Sequence, residues 1–89
     1  MIEQTFTIIN KLGLHARAAS KFVTTASKFE CDIQVSRNDR SVNGKSIMGV
    51  MMLAAAKGTE INVSAEGDDA EQALQHLETL INDYFGEGE

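Results

Sequence analysis

A chain of 89 residues buries only about 60–65% of the surface its unfolded form exposes, so it folds as one domain whose core cannot enclose a large substrate or cofactor. Its hydrophobic fraction of 43% and charged fraction of 24% are those of a globular protein in water. The net charge of −5 disfavours nucleic acid as the main partner, because a phosphate backbone needs basic stripes.

Residues 2–9 read as a strand, with Ile2, Phe6 and Ile8 on one parity and Gln4 breaking the pattern. Asn10 to Leu14 is a loop with Asn10 and Gly13 as its turn residues. Residues 16–28 read as a helix on the recurrence of Ala16, Ala19, Phe22, Val23 and Ala26, and His15 then stands at or just before its N-cap. A second strand runs from Cys31 to Ser36. The polar turn 37–40 returns it as Ser41 to Asn43, and Asn43-Gly44 turns again. Ser46 is a good N-cap for an apolar helix that Lys57-Gly58 ends, with the glycine as left-handed cap. Ile61, Val63 and Ala65 alternate in a last strand. Asp69 and Gln72 then have capping-box spacing for a final helix. Its stripe is Ala70, Ala73, Leu74, Leu77, Leu80, Ile81 and Tyr84, and residues 86–89 read as a frayed tail. The order β-α-β-β-α-β-α, with strands of alternating character, predicts an α/β (α+β) open-faced sandwich: a four-stranded, mainly antiparallel sheet with helices on one side.

Cys31 is a lone cysteine, so no internal disulfide forms, and its parity with Ile33 and Val35 makes it a buried strand residue. Glu3 and Gln4 interrupt any N-terminal apolar run, and the longest apolar stretch, 47–56, is too short to span a bilayer. The expectation is a cytoplasmic protein without membrane insertion.

Candidate chemistry narrows to His15. His76 falls off the apolar stripe and reads as a solvated surface residue. No second histidine, cysteine pair or carboxylate cluster stands at metal-ligand spacing around His15, so neither metal nor cofactor is expected. Asn43-Gly44-Lys45-Ser46 carries the last letters of a phosphate loop without its earlier glycine or strand, which disfavours nucleotide hydrolysis. A neutral imidazole can accept a phosphoryl group. The N–H groups of Ala16 and Arg17 at the helix start, and the Arg17 guanidinium, can then offset its charge. The residues alone leave open a plain surface histidine beside a helix. Lys11, Arg17, Lys21, Lys45 and Lys57 precede most of the C-terminal acids, which hints at a basic face for an acidic partner.

Leu12-Gly13-Leu14-His15-Ala16-Arg17 resembles the active-site signature of the HPr family, the histidine phosphocarriers of the phosphoenolpyruvate:sugar phosphotransferase system. Residues 42–51, Val-Asn-Gly-Lys-Ser-Ile-Met-Gly-Val-Met, resemble the family's second signature, around a regulatory serine, and Lys57-Gly58-Thr59-Glu60-Ile61 also fits. The resemblance covers essentially the whole chain. It implies that Enzyme I phosphorylates His15 on Nδ1 with phosphoenolpyruvate as source, that Arg17 assists, and that an Enzyme IIA domain receives the group. It implies a carrier in place of an enzyme, monomeric, with Ser46 as the site of HPr kinase/phosphorylase. Ile47, Met48, Met51 and Met52 then become an exposed docking patch, with Val50 and Leu53 as the buried members of that helix; methionines adapt to differing partner surfaces. One departure stands out: Ala18 replaces the proline that usually follows the arginine. The nearest rival is the nitrogen-related branch of the same family. An acyl carrier is opposed by Lys45-Ser46-Ile47 and by four strands, and an interaction module with an inert His15 is the plainest alternative.

Overall fold

Four strands, β1 (Ile2–Thr7), β2 (Asp32–Arg37), β3 (Arg40–Asn43) and β4 (Glu60–Glu66), form one antiparallel sheet in the order β1-β4-β2-β3. This computed structural model describes residues 1–88. Register follows hydrophobic parity: Phe6 pairs with Ile61, Val35 with Val63 and Ile33 with Ala65, so the apolar side chains fall on one face and are buried there. Thr5, Asn62 and Ser36 stand across from one another on the other, polar face.

Three helices cover the apolar face: α1 (Ala16–Ala26), α2 (Ile47–Met52) and α3 (Ala70–Asn82). The fold is the open-faced sandwich expected. Ala18, Ala19 and Ala26 of α1 are fully buried and let that helix lie close to its neighbours around Phe22. Cys31 is buried just before β2, and Val50 and Leu53 are the buried members of the α2 segment. Gln4, which broke the parity of β1, stays exposed and donates to Glu78 of α3 at 2.9 Å. His76 is exposed, its ring edge-to-face with Phe29.

Four local expectations need correction. The α2 helix ends at Met52, not near Gly58: Ala54 itself takes the left-handed conformation (φ 51°), while Arg37 and Arg40 donate to the carbonyls of Leu53 and Met52. Gly58 serves a later turn, where its N–H donates to Ile8. Asp69 stands at the N-cap of α3 as expected, but its side chain makes no cap bond: its carboxylate accepts from the N–H groups of Glu30 and Cys31, tying the start of β2 to α3. Those N–H bonds, Glu30 foremost, hold the Asp69 carboxyl below its ordinary range. Tyr84 is exposed, and Phe85 takes its place in the core. The chain after α3 does not fray through Glu87: Tyr84–Gly86 form a 3-10 turn packed on α1. Glu89, the last residue of the expected tail, lies outside the described residues.

Candidate functional site

The loop between β1 and α1 is built around two residues. Asn10 is fully buried, and its amide donates to the Gly13 carbonyl at 2.8 Å while the Gly13 N–H returns a bond to the Asn10 carbonyl. Gly13 has φ 68°, and a Cβ there would lie 2.5 Å from the Ala55 carbonyl oxygen, so only glycine fits. The next N–H, of Leu14, donates to that same oxygen at 2.8 Å. This close approach fixes where α1 begins.

His15 is the N-cap of α1, with extended backbone (φ −77°, ψ −178°) and a carbonyl that accepts the N–H of Ala19. Its side chain makes no cap bond. The first-turn amides, Ala16 and Arg17 among them, are therefore not occupied by the cap residue. The ring turns toward the other end of the chain: Nε2 lies 2.6 Å from the Glu87 carboxylate, with the two side chains 29% and 11% exposed. The second Glu87 oxygen accepts from the Asn10 amide at 3.1 Å. Burial pushes the Glu87 carboxyl up, but the bonds from Asn10 and His15, the charge His15 carries when protonated and the charge of Lys21 outweigh it and hold the group below its ordinary range.

His15, Ala16, Arg17, Lys11, Leu12, Lys21, Gly86 and Glu87 line an open surface depression of about 720 Å³. The structure thus brings the three predicted residues of the first signature together, with Arg17 exposed. Lys21 also donates to the Phe85 carbonyl at 2.6 Å and so holds the wall that carries Glu87. Open, and lined by Lys11, Arg17 and Lys21, this depression suits a small anion better than a sequestered apolar substrate.

Ser46 and its neighbours stand outside that lining, on α2, which packs against α1. Ser46 caps as expected, its Oγ accepting from the Gly49 N–H at 3.1 Å. Ile47, Met48, Met51 and Met52 are between 37 and 71% exposed, so the apolar segment is a surface and not a second core. Of the basic residues grouped by sequence, Lys45 is engaged elsewhere, on the Phe29 carbonyl. Among the described residues there is no group of three or more His, Cys, Asp or Glu that could hold a metal, and no helix long and apolar enough to cross a membrane.

Sequence reasoning missed Glu87, Asn10 and Leu12 as parts of this site. Asn10 had a signal in its three-residue spacing to Gly13. Leu12 lies in the signature and is 67% exposed. Glu87, 72 positions from its partner, had none.

A family profile described as the PTS HPr component phosphorylation site matches residues 2–83. The phosphocarrier protein HPr of Neisseria meningitidis serogroup A is 60% identical over 89 residues, covering all of both chains. That of Pseudomonas aeruginosa is 58% identical over 84 residues, 93% of each. The crystal structure of HPr-C-His from Thermoanaerobacter tengcongensis superposes with a TM-score of 0.94 at 52% identity, over 98% of each chain.

Proposed function

The chain belongs to the HPr family, the phosphocarriers of the phosphotransferase system, and on that premise we propose that His15 is the group that carries the phosphoryl. His15 accepts it on Nδ1 from Enzyme I, whose source is phosphoenolpyruvate, and gives it up to a histidine on an Enzyme IIA domain. The protein is then a covalent intermediate and not a catalyst, acting as a monomer in the cytoplasm. The observation that carries this reading is an N-cap histidine whose side chain makes no cap bond and stands with Arg17 in an open depression. First-turn amides and a guanidinium suit the three phosphoryl oxygens. An open site lets donor and acceptor reach the same atom in turn.

The test is incubation with Enzyme I and phosphoenolpyruvate, followed by intact mass. One acid-labile phosphate is expected on the wild type and none on His15→Ala; label persisting on the variant would remove His15 from the mechanism.

Ser46 is the proposed site of HPr kinase/phosphorylase, and Ile47, Met48, Met51 and Met52 the proposed docking patch. A phosphate on Ser46 adds about −1.5 to −2 charge beside that patch and repels an acidic partner. Ser46→Asp therefore weakens Enzyme I binding more at low salt than at high salt; equal weakening at every salt would mean a change of shape instead.

A further inference from the structure

We propose that Glu87, aimed by Asn10, is the positioning residue that makes Nδ1 the nucleophilic nitrogen of His15. This rests on the reading of His15 as phosphoryl acceptor. An ionised carboxylate can only accept hydrogen bonds, so at 2.6 Å the proton between Glu87 and the ring belongs to Nε2. A neutral imidazole has one N–H and one lone pair. With the N–H held on Nε2, the lone pair is on Nδ1, the other side of the ring from Glu87.

The carboxylate is itself held. Asn10 is buried and donates through one amide nitrogen to both the Gly13 carbonyl and Glu87. The flipped amide would set its oxygen against two acceptors, so the donor direction is fixed. From the other side, the backbone that brings Glu87 to the ring turns through left-handed φ at Tyr84 (55°), Phe85 (53°) and Gly86 (75°). Such a conformation costs about 1–2 kcal/mol per non-glycine residue and survives only when its surroundings fix it. Here the buried Phe85 ring and the Lys21 bond to the Phe85 carbonyl do so. A segment with no task beyond covering the core has no need of a carboxylate fastened at both oxygens.

The transfer balances without an outside base. The Nδ1 lone pair attacks phosphorus, a P–N bond forms, and the bond from phosphorus to the donor breaks with its electron pair leaving on the donor. The Nε2 proton stays where it was. The product ring is therefore cationic, and the Glu87 carboxylate faces that charge at Nε2 while the phosphoryl group lies at Nδ1. On the return step the same pair returns to Nδ1, again with no proton to move.

The test reads which nitrogen is phosphorylated. Phosphoramidate, a small donor with no docking surface, is applied to wild type, Glu87→Gln and Glu87→Ala, and nitrogen-15 NMR of the His15 ring assigns the product. The wild type is expected to give the Nδ1 product with its neutral ring carrying the proton on Nε2. Both variants are expected to give a mixture with Nε2-phosphohistidine. With Enzyme I and phosphoenolpyruvate, the maximal rate in both variants falls about ten-fold at unchanged half-saturation, the low end of what hydrogen-bond partners contribute to the better-known case of metal-bound histidines. Glu87→Ala keeps Phe85, its Lys21 anchor and the Glu87 N–H bond to the Tyr84 carbonyl, so it reports on the carboxylate even if Glu87→Gln disturbs the turn. Unchanged Nδ1 selectivity in both variants overturns the proposal while leaving His15 as acceptor, and so does faster phosphorylation, which would mean that Glu87 occupies the phosphate's place. Absence of label on wild-type His15 would instead overturn the function.

Discussion

The starts of α1 and α2 pose the same physical problem and solve it in opposite ways. Each has an N-cap in extended conformation followed by first-turn amides that lack intrahelical partners. At α2, Ser46 folds its hydroxyl back on the Gly49 N–H and serves the helix. At α1, His15 leaves the amides alone and turns its ring to Glu87. One end has a residue chosen for the helix; the other has a helix arranged around the residue. A poor cap in a chain that places a good one elsewhere is what the proposed role of His15 as phosphoryl acceptor accounts for.

Exchange of the two residues' effects is the strongest way to break that contrast. His15→Ala is expected to abolish labelling from phosphoenolpyruvate and Enzyme I while costing under about 1 kcal/mol in urea unfolding, because it loses a partly exposed contact and no cap. Ser46→Ala is expected to keep full labelling and lose about 1 kcal/mol, the worth of a capping hydroxyl. A Ser46→Ala protein that unfolds like wild type but fails to label would reverse the two assignments.

The next largest effect concerns how the two ends are joined. Gly13 lies against Ala55, in the segment after α2, with no room for a Cβ. Gly13→Ala combines a left-handed φ with a 2.5 Å collision on backbone. We expect it to destabilise the fold by at least about 2 kcal/mol and to slow labelling of His15, since the histidine's approach to α1 must shift. A variant of wild-type stability with a slow His15 would show that the loop positions the ring without supporting the core.

Acid separates the ends more gently. Glu87 and Asp69 have folded values below their ordinary 4.5 and 3.8, so their contribution is complete at neutral pH and is lost as pH falls through that region and below. The clasp at α1 contains one of these carboxylates, whereas the Ser46 cap contains no titrating group. Lowering the pH from 7 toward about 3 should therefore release the Glu87 contact, seen in the Phe85 and His15 ring signals, before the Gly49 amide moves. Simultaneous loss would mean that both ends open only with the whole fold.

Much of this contrast was legible before the structure. Element order followed from periodicity, the Ser46 cap from its residue type, and the exposure of Met48 and Met52 from the docking patch that the family resemblance implies. What was not legible has a common cause. Glu87 sits between Gly86 and Gly88, which reads locally as fraying, and only contacts 72 and 77 positions away give it a place. Phe85 enters the core through a left-handed turn that a helical stripe does not anticipate, so Tyr84 took its place in the pattern. Asp69 has capping spacing but meets better donors across the fold, at Glu30 and Cys31. Local rules fail where a distant partner outbids the local one.

The smallest effect is expected at Ala18, third residue of α1 and fully buried. The first backbone bond of that helix comes from Ala19 to His15, so the N–H of Ala18 lies before the regular ladder. Proline there removes a donor that the helix does not use, and its fixed φ is already helical. It also disfavours helical backbone at the preceding residue, Arg17. These terms oppose one another, and the ring must find space beside a buried Cβ. Ala18→Pro should change stability by less than about 1 kcal/mol and leave the rate and affinity of phosphorylation by Enzyme I near wild type. A many-fold gain in rate would mean that the extra amide of the alanine protein competes for the phosphoryl group's partners. In that case the arrangement around His15 is less complete than that around Ser46.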